Sequence, residues 1–211
     1  MIHRFMIGIT ILYFIVLIFI GWKFHGKSGG YQDRKIKDFF MRIPYPRLNF
    51  TMNKITKMSN VETITILMIP LLYMLHSQGN YIAMSSMIIA TGSAFFITHI
   101  TKFIFRRMRP QVLKAINYLG YSFPSGHSSV GMAFYLTMAY VLTIGYKIFF
   151  IVFTMAFILG IAIALSRVVL GYHWFSDVAF GTILGLICSY WAIYLYESQF
   201  YFKFLTEQIP S

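Results

Sequence analysis

Three short polar blocks interrupt a largely apolar chain, and each carries residue types able to do chemistry. The last block reads Ser166-Arg167-Val-Val-Leu-Gly171-Tyr-His173-Trp-Phe-Ser-Asp177, between apolar runs at 148–165 and 178–196. His173 and Asp177 are four apart, so on a helix they would share one face, one turn apart. A carboxylate in that position can fix the tautomer and orientation of an imidazole, which is how a histidine is activated. Gly171 can supply a tight turn that brings Arg167 back towards His173. The first block runs from Lys102 to Arg109-Pro110, with Arg106 and Arg107 between. The second, Pro124-Ser125-Gly126-His127, stands at the mouth of another apolar run.

Together the blocks offer three cations (Lys102, Arg109, Arg167), two histidines, one orienting carboxylate, and Ser125-Gly126 at an expected helix start. Arginine forks and helix-start amides suit phosphate oxygens. A carboxylate-oriented histidine can attack phosphorus, and a second histidine can protonate the leaving oxygen. Two histidines and one acid are a thin set of metal ligands. The donor set therefore favours phosphoryl transfer with no metal and no other cofactor.

These blocks need a scaffold, and the composition says which kind. Of 211 residues, 58% are hydrophobic, more than in soluble domains. The chain reads as one integral membrane domain spanning residues 1–211. Its fold is expected to be an all-α bundle of six transmembrane helices, at roughly 5–22, 61–76, 81–100, 127–146, 148–165 and 178–196. The first would be a retained anchor, since no small-residue cleavage site follows it. Small residues at 90–94 suit close helix packing. With six spans, the loops after the third and fifth face the same side, so all three polar blocks meet.

Between the first two spans, residues 31–58 keep helical spacing of Ile36, Phe39, Phe40 and Ile43, interrupted by Pro44 and Pro46, then of Leu48, Met52, Ile55 and Met58. Basic residues fill the other faces. This predicts one or two basic amphipathic helices lying in the headgroup layer. Residues 21–28 match the P-loop pattern letter for letter. They follow a membrane helix rather than a strand, so the match is set aside as chance. Arg106, Arg107 and Lys114 are expected to be interfacial anchors, as are Tyr172 and Trp174. His99 is expected to have a packing or interfacial role. His3, His25 and His76 should lie at the surface. Cys188 can form no intramolecular disulfide, being the only cysteine.

Lys-x6-Arg-Pro, Pro-Ser-Gly-His and Ser-Arg-x5-His-x3-Asp, in that order, resemble the three signature blocks of the type 2 phosphatidic acid phosphatase superfamily. All are intact here, across residues 102–177, and the six-span frame extends the likeness over nearly the whole chain. The resemblance implies roles. His173 would be the nucleophile that forms a phosphohistidine, and Asp177 would hold it. His127 would be the general acid. Lys102, Arg109, Ser125, Gly126 and Arg167 would bind the phosphoryl oxygens. Family members of this size act on lipids such as undecaprenyl pyrophosphate, phosphatidylglycerophosphate or phosphatidate. Alternatives are a phosphotransferase using the same phosphohistidine and a non-catalytic lipid-binding protein.

The net charge is +12, which points to anionic lipid, topology signals or an anionic substrate, and not to nucleic acid. The family places its site outside the cytoplasm, here across a bacterial plasma membrane. The nine basic residues from Lys23 to Lys57 would then also lie outside, against the positive-inside rule. They fit that side if they hold anionic headgroups.

Overall fold

In the computed structural model, which describes residues 2–42, 46–110 and 120–207, all regular structure is helical. The order is α1 (Ile2–Lys23), α2 (Tyr31–Met41), α3 (Pro46–Lys57), α4 (Val61–Ser77), α5 (Tyr81–Phe105), α6 (Gly126–Thr143), α7 (Phe149–Val169) and α8 (Phe175–Glu207). Ile43, Pro44 and Lys114, named above, lie outside the described residues.

The apolar surface is turned outward. On α1, Phe5, Ile11, Leu12, Ile15 and Phe19 are exposed, while Tyr13 and Leu17 face the protein. On α7, Phe150, Ile151, Met155 and Ile158 are likewise exposed. A continuous exposed apolar belt belongs in lipid. By length and composition four helices can cross a membrane: α1, α5, α7 and α8. A fifth is possible if α3 and α4, bent by 43° at their junction, count as one span.

The remaining long helix, α6, is the hub, packed against α5, α7 and α8. Being walled by protein, it can be polar: Ser128, Ser129 and Thr137 are fully buried. Their hydroxyls find partners, Thr98 Oγ1 at 2.7 Å from Ser129 Oγ and Thr137 Oγ1 donating to Ser189 at 3.1 Å. That polar content is why its apolarity falls short of its neighbours'. Glycines let α8 approach closely. A Cβ on Gly181 would sit 2.5 Å from the Ser125 carbonyl oxygen, and one on Gly185 would collide with that of Ser129. This four-residue spacing of glycines is a common device for close helix contact in membranes.

The long helices alternate in direction, so that one end of the bundle collects the end of α1, the α3–α4 junction, the end of α5, the start of α6, the end of α7 and the start of α8. The turn after α1 is sewn to that end by Gly26 N–H donating to Phe105 O at 3.2 Å and Met108 N–H donating to Lys27 O at 3.0 Å. α2 sets Ile36 and Phe40 against Ala164, Val168 and Val178 on α7 and α8. Its Asp33 is buried, whereas Arg34, Lys35 and Arg42 are exposed. α2 is thus docked on the bundle through an acid as well as through its apolar residues, a feature absent from a helix merely floating on headgroups.

Two local expectations change. α5 continues beyond residue 100 to Phe105, so Lys102 stands in its last turn, not in a loop. His173 precedes α8, so the His173–Asp177 pair does not share a helical face.

Candidate active site

Four backbone ends aim the polar side chains. α7 closes after Val169 with Gly171 at φ +70. Gly171 N–H donates to Val168 O and Tyr172 N–H to Arg167 O, both at 3.0 Å. This paired closure is a Schellman cap, and glycine suits its left-handed residue. It folds the chain back so that His173 follows Arg167 in space. α8 then begins with Asp177 in its first turn, where a carboxylate meets the free amides. Asp177 Oδ2 accepts from Trp174 N–H at 2.9 Å. The same oxygen lies 3.5 Å from His173 Nδ1.

On the other side of the imidazole, Arg109 Nη1 is 3.2 Å from His173 Nε2. A guanidinium can only donate, so Nε2 presents its lone pair and the proton sits on Nδ1, facing Asp177. Arg109 is held by the carbonyls of Gly120, at 3.1 Å, and Tyr172, at 3.0 Å. Arg167 is buried, donates to Thr56 on α3 at 2.7 Å and lies over the Tyr172 ring. The α6 start exposes the amides of its first turn, and Ser125 occupies the cap position. Ser125 Oγ accepts from Ser128 at 2.9 Å, and Ser125 is fully buried.

Lys102, Arg109, Gly126, His127, Arg167 and His173 all line one cavity of about 420 Å³. Asp177 stands behind His173, and Ser125 behind Gly126; neither is among the lining residues. Away from the cations the same cavity is lined by Val61, Ile64, Phe95, Val130, Thr91 and Gly92, between α4, α5 and α6. Thr91 precedes Lys102 by eleven residues, about 16 Å along α5. The cavity therefore joins a cationic head to a largely apolar trough that runs along α5. Among the described residues no three His, Cys, Asp or Glu groups come close enough to hold a metal ion.

Burial in this cationic surrounding pushes the His173 imidazole well below its ordinary pKa; burial is the largest cause, followed by Arg109, Arg167, Lys102 and His127. The neutral form is favoured, so His173 should stay deprotonated at pH 6.5 and titrate only below it. A bound phosphate dianion would reverse part of this by favouring imidazolium. Histidine-labelled protein followed by NMR should show a ring signal that titrates below pH 6.5 without ligand and is missing in His173→Ala. A titration at or above 6.5 would contradict this environment.

Several contacts were not legible beforehand. Arg107 is no interfacial anchor. It is 1% exposed and bridges Asp33 on α2 and Asp177 on α8, both at 2.6 Å, while donating to Ser176 at 2.8 Å. Asp33 also accepts from the Ser176 amide and hydroxyl, at 3.0 and 2.8 Å. The available signal was scarcity: with only 6 acidic residues against 18 basic ones, an acid placed among cations marks a partner. Trp174 is buried too, its Nε1 donating to Met108 O at 2.8 Å. His99 packs on Phe95, with ring centroids 4.0 Å apart and Nδ1 at 2.8 Å from Phe95 O, and it also lines the cavity. Asn60, at the start of α4, is 2.9 Å from His127 Nε2. His3, His25 and His76 are exposed, as expected.

The chain is similar to known proteins in sequence and in fold. The model of the PAP2 superfamily matches residues 83–201, more than half of the chain. Phosphatidylglycerophosphatase B of Bacillus subtilis (strain 168) is 25% identical over 183 residues, covering 82% of this chain and 88% of that protein. The crystal structure of a transmembrane PAP2 type phosphatidylglycerolphosphate phosphatase from Bacillus subtilis superposes with a TM-score of 0.74 at 23% identity, covering 89% of this chain and 96% of that one. Aquifex aeolicus LpxE gives a TM-score of 0.59 at 22% identity, over 75% and 93%.

Proposed function

Since the chain belongs to the PAP2 superfamily, we propose that it is an integral membrane phosphatase that hydrolyses a lipid phosphomonoester or diphosphate through a phosphohistidine. The observation that carries this reading is the shape of the cavity, three cations and two histidines opening onto an apolar trough. Such a site suits a phosphate joined to a hydrocarbon chain. Phosphatidylglycerophosphate is the first candidate, from the names of the Bacillus subtilis relatives. Phosphatidate and undecaprenyl pyrophosphate share the same chemistry.

In this mechanism Lys102, Arg109, Arg167 and the amides from Gly126 hold the phosphoryl oxygens, with Ser125 setting the helix start that aims those amides. Arg109 moves from the imidazole to the phosphate, which frees the Nε2 lone pair. His173 Nε2 attacks phosphorus, while Asp177 retains the Nδ1 proton and favours the developing positive charge. The P–O bond to the lipid breaks, and His127 protonates the leaving oxygen. His127 then takes a proton from water as that water attacks phosphorus. The P–N bond breaks, inorganic phosphate leaves, and His173 is restored.

The same reading has six spans, with α4 and α6 added to the four helices named above and α6 sheltered inside the bundle. It has one domain, and it lies in a bacterial plasma membrane with the site outside. The exposed basic residues of α2 and α3 would then rest on anionic headgroups and wall the site.

The test is phosphate release by purified protein from a panel of lipid mono- and diphosphates. An acid-labile, alkali-stable phosphoenzyme should accumulate in a rapid quench, and none should form in His173→Ala. Release without any phosphoenzyme, or from no lipid phosphate, overturns the proposal. Turnover should survive chelator without added magnesium, because the cations of the site are side chains. Vanadate, able to adopt the five-coordinate geometry of attacked phosphorus, should inhibit. A strict magnesium requirement, restored on re-addition, would contradict the metal-free mechanism.

A further inference from the structure

Among the described residues two asparagines stand at helix N-caps, and they behave differently. Asn80 caps α5, its side chain accepting from Ala83 N–H at 3.1 Å. Asn60 occupies the equivalent place at the start of α4, with φ −67 and ψ 154, and makes no side-chain cap bond. Asparagine is among the best capping residues, and leaving the cap unmade normally lowers stability. The Asn60 side chain is turned instead to His127, with Oδ1 at 2.9 Å from Nε2. A second bond from the same junction steadies the histidine backbone, Ser59 Oγ donating to His127 O at 2.9 Å.

We propose that Asn60 is the positioning residue of the general acid, holding the proton on His127 Nε2 so that Nδ1 is the atom that exchanges protons with the substrate. An amide oxygen only accepts, so the ring nitrogen facing it must carry hydrogen. In the imidazolium, Nδ1–H is then the proton available to the leaving oxygen. Once it has gone, the neutral ring is left with hydrogen on Nε2 and a lone pair on Nδ1. That lone pair can accept the proton of the attacking water. Asn60 thus does for His127 what Asp177 does for His173, but with a neutral acceptor. The choice matters because Lys102 on α5, Arg109, Arg167 on α7 and His173 all share the cavity with His127. A carboxylate at Asn60 would favour imidazolium and resist the proton's departure, whereas an amide orients the ring without adding charge.

The inference rests on His127 being the general acid, and the experiment separates the two ideas. Two soluble esters differ in what they ask of an acid: p-nitrophenyl phosphate expels a phenolate that needs no proton, and octyl phosphate expels an alkoxide that does. The variants are His127→Ala, Asn60→Ser and Asn60→Asp in the full-length protein. Serine still caps a helix but is too short to span the gap to His127. Aspartate both caps and reaches. Asn60→Ser should slow phosphoenzyme formation from octyl phosphate in a rapid quench roughly 10- to 100-fold and leave formation from p-nitrophenyl phosphate nearly as fast, whereas the later attack by water, common to both esters, slows alike. His127→Ala should show the same selectivity more strongly. Asn60→Asp should recover much of the octyl phosphate rate and move the alkaline limb of its pH profile upward. If His127→Ala is selective in that step but Asn60→Ser slows phosphoenzyme formation from both esters equally or from neither, the assignment of Asn60 is overturned. If His127→Ala shows no selectivity, the acid role itself fails and the inference with it.

Discussion

His173→Ala is expected to abolish phosphate release, by at least about 10⁴-fold on any substrate, leaving-group quality making no difference. The loss is of the attacking atom, so no other residue in the cavity substitutes for it. The fold should persist, because His173 lies in the turn between α7 and α8, and that turn is closed by backbone bonds from Gly171 and Tyr172. Asp177→Asn should retain more activity than His173→Ala, since it loosens the imidazole without removing it. It should also lower stability, because Asp177 binds the Trp174 amide and Arg107 as well. Phosphate release and thermal unfolding in detergent, measured side by side, check both. Activity near wild type in His173→Ala would remove it as nucleophile.

Arg107→Ala is expected to be the most destabilising single change near the site. It would leave two buried carboxylates, Asp33 and Asp177, facing each other without their shared guanidinium. Breaking a buried ion pair from one side costs about 3–5 kcal/mol, and here two pairs break together. Activity should fall with stability, because the carboxylate behind His173 loses the contact that holds Oδ1. Arg106 is the internal control. It is exposed, and its side chain donates to Phe103 O at 3.2 Å within its own helix end. Arg106→Ala should therefore unfold within a degree or two of wild type. Equal behaviour of the two alanine variants in thermal unfolding would refute the role assigned to Arg107.

The adjacency of these two arginines shows where sequence reading succeeds and where it stops. Hydropathy places most ends of the long helices within about five residues, because a span of lipid demands an unbroken apolar run; α8 is the exception, continuing to Glu207 where the expected span stops at 196. The polar blocks stand out for the same reason, since Lys102, Arg109, Arg167 and His173 have no cheap place beside hydrocarbon. Telling Arg106 from Arg107 needs more. Just past α5, Arg106 at φ +48 turns outward and Arg107 inward, towards acids that α2 and α8 bring to it. Asp33 is similarly ambiguous, being one charge in a segment whose apolar spacing suggests a surface helix. Its burial follows from a contact with α8, 143 positions away, that no local pattern records. Asn60 was hidden by its own plausibility: an asparagine before an apolar run reads as a helix cap. The helical pairing of His173 with Asp177 failed through the opposite fault, a spacing argument applied across a helix boundary.

The Asp33–Arg107–Asp177 bridge has a consequence for how the protein is made. Its three members leave the ribosome in order, the first in α2, the second just after α5 and the third at the start of α8. Until the last helix emerges, Arg107 has only one of its two carboxylates, and the place it will occupy is not yet enclosed. A nascent chain stalled before residue 177 thus holds the phosphate cations Lys102, Arg109 and Arg167 without the nucleophile's support, and with a guanidinium half-matched. Membrane proteases and insertion chaperones that read unpaired charge near the bilayer would find it there. A chain released before α8 is inserted should be degraded quickly. Completion of the charge bridge coincides with completion of the site, so a molecule that survives surveillance is already assembled around its histidine.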